Sequence, residues 1–153
     1  MSRRATKTNN GSRQLDLAGL DGALGFRLRM LEQSVMRSFG RHMEPLDLSP
    51  TLYSILVLID ANPGCRQIEL SQALNMHQPN LVQRVGVLID RGLLIRNEDA
   101  SDRRANVLEL SPEGRRFMIR VKKAHAEHLA EIRARIGDER YAALLQHAEA
   151  LED

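Results

Sequence analysis

Apolar residues recur at helical spacing early in this chain. Leu24, Leu28, Leu31 and Val35 fall at i, i+4, i+7 and i+11, and this stripe predicts a helix from about Asp21 to Met43. Pro45 closes it. Ser49–Pro50 then reads as the N-cap and first residue of a second helix, continued by TLYSILVLIDA. That segment is apolar nearly all round, which predicts a place at the centre of the core. Asn62–Pro63–Gly64 breaks it. Two short helices follow, over about 66–74 and 78–91. The first is amphipathic through Ile68, Leu70, Ala73 and Leu74. The second turns Leu81, Val85 and Leu88 inward and ends at Gly92, a left-handed C-cap signal. LLIRN and VLELS read as two short strands around the polar insert EDASDRRAN, which is too long for a two-residue hairpin turn. Ser111–Pro112–Glu113 starts a helix to about Ile136, Gly137 breaks it, and Asp138–Glu139 open a last helix to about Glu149. The predicted order is α-α-α-α-β-β-α-α without an internal repeat, with Cys65 in a turn before the third helix.

The fold class is therefore mainly α with a small β-wing. Two short helices followed by a two-stranded hairpin form a winged helix-turn-helix. The fifth helix, at about 1.5 Å per residue, would be ~37 Å long, more than a domain of this size needs for its own core. Composition agrees with one ordinary domain: 153 residues, 42% hydrophobic and 27% charged. No run approaches the ~18 uncharged apolar residues of a membrane span, and MSRRATKTNNGSRQ lacks the apolar stretch of an export signal. A membrane or exported protein is not expected. A single cysteine excludes an intrachain disulfide and any multi-cysteine metal site, so a reducing cytoplasm is the expected location. Aromatics are 3% with no Trp, against a base-stacking platform for single strands.

Net charge is +2 and unevenly spread. Residues 1–20 carry +3, 21–61 carry −1, 62–111 balance, 112–136 carry +4 and 137–153 carry −4. Residues 1–14, basic and rich in Asn, Ser and Thr, read as a disordered arm. This distribution is compatible with nucleic-acid binding without establishing it.

The helix over 78–91 has the width of a B-DNA major groove. Its early turns present Gln78, Asn80 and Gln83, side chains able to hydrogen-bond adenine bidentately. Pro79 sits where a missing N–H costs little, and His77 at the N-cap could reach a phosphate. The same face could equally be an ordinary solvated surface. Asp102, Arg103 and Arg104 in the insert shift the balance. An arginine on a protruding loop can enter a narrow minor groove, and a neighbouring Asp can aim it by a bidentate pair. Catalysis finds no support: there is no Gly-rich phosphate loop, no G-x-S-x-G, no H-E-x-x-H and no nucleophile beside a base. The chain reads as a non-enzyme without a cofactor.

The stretch RQIELSQALNMHQPNLVQRVGVLIDRGLLIRNEDASDRRANVLELSPEG, with its RGLL turn, D-x-x-D-x-R wing and S-P-E-G exit, resembles the MarR family of bacterial transcriptional regulators. The likeness extends over about residues 21–150. It implies a homodimer whose first and last helices interleave, bound to a pseudo-palindromic operator. Such proteins usually repress transcription until a small ligand or an oxidant relieves it. The implied division is a basic arm over 1–20, a dimerisation helix over 21–48, a DNA-binding winged helix-turn-helix over 49–111 and dimerisation helices over 112–153. Arg66, His77 and the arm would add phosphate contacts on double-stranded DNA.

Departures from the family pattern carry information too. The wing commonly reads D-x-R-D-x-R, and Ser101 stands at its third position, leaving Arg103 and Arg104 both open as the minor-groove residue. Gly86 stands where an Asp is frequent, and Arg84 where an apolar residue is usual. Arg84 could contact phosphate, lie along the surface, or meet an anionic effector such as an aromatic carboxylate or an acyl-CoA. The resemblance places the effector near the first, second and fifth helices, with Met30, Ser34, Met36, Tyr53 and Leu56 as candidate liners. Alternatives on the same fold are a protein-interaction module and a redox or metal switch. The redox reading would use Cys65, beside Arg66. The metal reading would use His125 and His128 at i, i+3, with Glu127, Glu131, His42 and His147. A charged amphipathic helix explains the histidine pair as well, and no metal is expected.

Overall fold

A computed structural model of the chain describes residues 15–98 and 106–151. The expected arm over 1–14 and the wing-tip residues Ser101, Asp102, Arg103 and Arg104 lie outside the described residues. The chain divides into two compact units, one ending at Gln33 and one beginning at Ser34.

In the first unit Gly19 takes a left-handed conformation (φ +87°) and leads into a single 3-10 turn, Leu20–Gly22. Helix α1 spans Leu24–Met43, and its first ten residues belong to this unit. The predicted stripe is present but uncovered: Leu24, Leu28 and Leu31 are 60%, 48% and 42% exposed.

The second unit is built around α2 (Pro50–Ala61). Ser49 caps it, its Oγ accepting the Leu52 N–H at 3.3 Å, with Pro50 at the first position. Ile55, Leu56 and Ile59 have no exposed surface, as expected of a helix apolar on every side. Strand β1 (Cys65–Arg66), helices α3 (Gln67–Ala73) and α4 (Gln78–Asp90), and strands β2 (Leu94–Glu98) and β3 (Asn106–Leu110) follow. The sheet is antiparallel in the order β1-β3-β2, with Cys65 opposite Leu108 and Leu94 opposite Leu110. Helix α5 (Pro112–Ile136) has the predicted 25 residues, and α6 (Asp138–Glu149) follows Gly137, whose φ is +85°.

Two expectations need correction. Cys65 lies in a strand paired to β3, not in a turn; two residues carry no periodicity, so β1 left no trace in the pattern. Ile68, expected on the buried side of α3, is 44% exposed, while Leu70 is buried. A seven-residue helix turns through too few residues to fix its inner face from apolarity alone.

Two connections fix α4 in place. Ser111 Oγ donates to Gly92 O (2.6 Å) and accepts the Gly114 N–H (2.8 Å), tying the exit of α4 to the start of α5. Gly114 must be glycine: a Cβ there would lie 2.0 Å from Leu93 O. Arg91, at the end of α4, donates to Asp47 O (2.7 Å) and Leu46 O (2.9 Å), and its guanidinium lies 5.6 Å from the Phe117 ring centre. Helix α4 is thus held to the α1–α2 connection and to α5 together.

Candidate functional site

Helix α3 starts with Glu69 Oε2 accepting the Arg66 N–H at 2.7 Å. Its exit is a tight turn through Asn75 at φ +47°, a left-handed conformation that Asn tolerates better than most residues. His77 is the N-cap of α4, exposed and making no capping hydrogen bond with its ring. Leu81, Val85 and Leu88 on the inner face of α4 are fully buried. Gln78, Pro79, Asn80, Gln83 and Arg84 are all exposed on the same helix. Val82, which the sequence reading passed over, is 46% exposed among them, and an exposed Val can pack against a thymine methyl. Its signal was available: it is an apolar residue off the i, i+4, i+7 stripe. The space around Gly86 is open, and Arg66 is half-buried in β1.

A second cluster lies where the end of α1, α2 and α5 meet. Ser38 is fully buried and its Oγ lies 2.9 Å from His128 Nδ1 and 3.0 Å from Glu131 Oε2. A carboxylate can only accept, so the hydroxyl proton goes to Glu131 and His128 donates Nδ1–H to Ser38 Oγ. His42 donates Nδ1–H to Ser38 O at 2.8 Å, and its Nε2 lies 3.9 Å from Glu131 Oε2. Arg41 Nη2 pairs with Glu131 Oε1 at 2.6 Å. Phe39 meets both Tyr53 (5.3 Å) and His128 (5.7 Å) edge-on, and Tyr53 lies 4.9 Å from the His125 ring centre. The hydrogen bond from Ser38, aided by Arg41, holds the Glu131 carboxyl below the usual range. Loss of hydration pushes His125 and His128 below the ordinary imidazole value, His128 further through His125 and His42. Burial raises the Tyr53 phenol.

Of the residues expected around a ligand, Tyr53 belongs to this cluster. Ser34 is half-buried and Met36 is 40% exposed on α1, while Leu56 is sealed in the core. Met30 belongs to the first unit and is 44% exposed. Arg84 stands on the outer face of α4 beside Gln83. The cluster gathers His42, His125, His128 and Glu131 from the set weighed for metal, while Glu127 is exposed and His147 lies exposed on α6. Among the described residues no three of His, Cys, Asp and Glu converge as metal ligands would. Elsewhere, an open cleft of about 490 Å³ runs past Asn62, Cys65, Glu69 and Ala73. Burial and the nearby Glu69 push the Cys65 thiol up, the opposite of what a redox-sensing thiolate needs. Among the described residues no helix is long and apolar enough to cross a membrane.

A tight turn between two helices, an exposed polar face backed by a buried apolar one, and a three-stranded antiparallel sheet define a winged helix-turn-helix. The sequence profile of the MarR family matches residues 46–105. A putative transcriptional regulatory protein for the hcr operon of Thauera aromatica is 29% identical over 136 residues, covering 88% of this chain and 82% of that protein. The transcriptional repressor CouR bound to a 23-mer DNA duplex is 32% identical with a TM-score of 0.87, covering 92% of this chain and all of that one. CouR bound to p-coumaroyl-CoA is 30% identical with a TM-score of 0.82, covering 91% and 98%. The chain belongs to the MarR family of transcriptional regulators.

Proposed function

We propose that the protein is a ligand-responsive transcriptional repressor that binds a pseudo-palindromic DNA site as a homodimer. The observation that carries this is the division of α4 into a wholly buried Leu81–Val85–Leu88 face and an exposed Gln78–Asn80–Gln83 face. Two copies place their α4 helices in successive major grooves about one helical turn, ~34 Å, apart. Gln78, Asn80 and Gln83 read base edges and Val82 meets a thymine methyl. Arg66, His77, Arg84 and the arm over 1–14 contact phosphate, and Pro79 lets the first turn approach closely. Arg103 or Arg104, aimed by Asp102, reaches the flanking minor groove. Residues 49–111 form the DNA-binding region, and the helices over 21–48 and 112–153 form the dimer. The exposed α1 leucines are the surface that a second copy covers. The protein works in the cytoplasm, where the DNA is, and catalyses no reaction.

The effector is an aromatic acyl-CoA, as the likeness to CouR with p-coumaroyl-CoA supports. It binds where the end of α1, α2 and α5 meet, against Ser34, Met36 and Tyr53. It acts by preferring a spacing of the two DNA-binding lobes that no longer fits the operator. The test is anisotropy of labelled DNA from upstream of the protein's own gene, beside a scrambled fragment. p-Coumaroyl-CoA, CoA and p-coumarate are then added separately. The thioester alone should weaken binding by about tenfold or more, a coupling of ~1.4 kcal/mol. Specific binding that no thioester changes would overturn the effector and leave the repressor standing.

A further inference from the structure

Base reading by α4 makes no use of a cluster of ionisable groups shared by α1, α2 and α5. The end of α1 supplies Ser38, Arg41 and His42, α2 supplies Tyr53, and α5 supplies His125, His128 and Glu131. The His128 ring centre lies 5.9 Å from that of His42 and 5.9 Å from that of His125. We propose that His125 and His128 make this junction a proton-sensitive switch, closed while these imidazoles are neutral and driven open when acid charges them.

The charges around His125 and His128 oppose their protonation. Glu131 is the one carboxylate among these groups, and Arg41 already matches its charge at 2.6 Å. Its second oxygen accepts the Ser38 proton. A proton added to His125 or His128 is therefore an unmatched positive charge beside Arg41 and the neighbouring rings. His128 is 4% exposed, so water offers its charged form little relief. A charged His128 also carries a proton on Nε2, for which the described contacts provide no acceptor. The opened state thus binds protons more readily than the closed one.

The sign follows from that difference. With His125 and His128 held below the ordinary imidazole value when folded, the closed form keeps its full stability above about pH 6.5. It loses stability as pH falls through that value. Glu131, held low by Ser38 and Arg41, keeps its contribution until pH falls below its ordinary value of ~4.3. A loss between pH 7 and 5 therefore belongs to the imidazoles.

The experiment is thermal melting of the full chain without DNA, from pH 5.0 to 8.0, for the wild type and a His125→Asn/His128→Asn variant. Leaving DNA out keeps the pH dependence of DNA contacts out of the readout. The wild type should lose several degrees between pH 7.5 and 5.5, and the variant should lose markedly less. Parallel curves would overturn the switch. Should the variant not fold, NMR titration of the wild-type imidazoles decides. His125 and His128 should titrate below the ordinary imidazole value of about 6.5; titration at or above that value would overturn the proposal.

Discussion

Helices α1 and α4 carry the same kind of apolar stripe and end up in opposite circumstances. On α4, Leu81, Val85 and Leu88 are sealed against the second unit's own core. On the first half of α1, Leu24, Leu28 and Leu31 keep 60%, 48% and 42% of their surface exposed. Periodicity says that a helix face must be covered; it does not say by what. Three leucines in line on one face are costly to leave in water. In the proposed homodimer a second copy of the chain covers the α1 stripe, whereas the α4 stripe is already covered within one copy.

This contrast can be broken by substitution, starting with the strongest effect. Leu81→Ala removes a fully buried side chain and should cost about 2–5 kcal/mol in denaturant unfolding. Leu28→Asp should leave the second unit folded yet convert dimer to monomer in light scattering, and make the melting temperature of the wild type, but not the variant, depend on concentration. An equal loss at any concentration would mean that the α1 stripe belongs to a single-chain core. Gln83→Ala tests the outer face of α4: stability should stay within ~0.5 kcal/mol while specific DNA binding falls by about 1–3 kcal/mol. Arg84→Met should act least, weakening all DNA sequences alike and lowering the salt slope by about 1. If Arg84→Met left DNA binding intact and weakened the effector instead, Arg84 would belong to the ligand.

Much of the fold was legible because its helices announce their ends. Ser49–Pro50 and Ser111–Pro112 are caps whose serines accept backbone N–H groups as expected. Gly92 and Gly137 both take a positive φ at the helix exits. The polar face of α4 was legible for the same reason as its apolar one. What stayed hidden depends on contacts distant in sequence. Strand β1 exists because β3 pairs with it some forty residues on. Ser38 meets His128 across 90 residues, and no local pattern marks a lone serine in a helix as buried. The i, i+3 histidines of α5 pointed at that place, but as possible metal ligands. The structure shows them engaged by a hydroxyl and by neighbouring rings.

Selection of bound fragments from the organism's own sheared genomic DNA, at physiological salt, asks most directly whether the exposed face of α4 reads sequence. The fragments recovered should share an inverted repeat whose half-sites are centred about one helical turn apart. Their affinity should exceed that of random DNA by ~10³ or more, and Gln83→Ala should markedly weaken the enrichment. Recovery of fragments without a common repeat, bound no tighter than random DNA, would contradict a sequence-specific repressor.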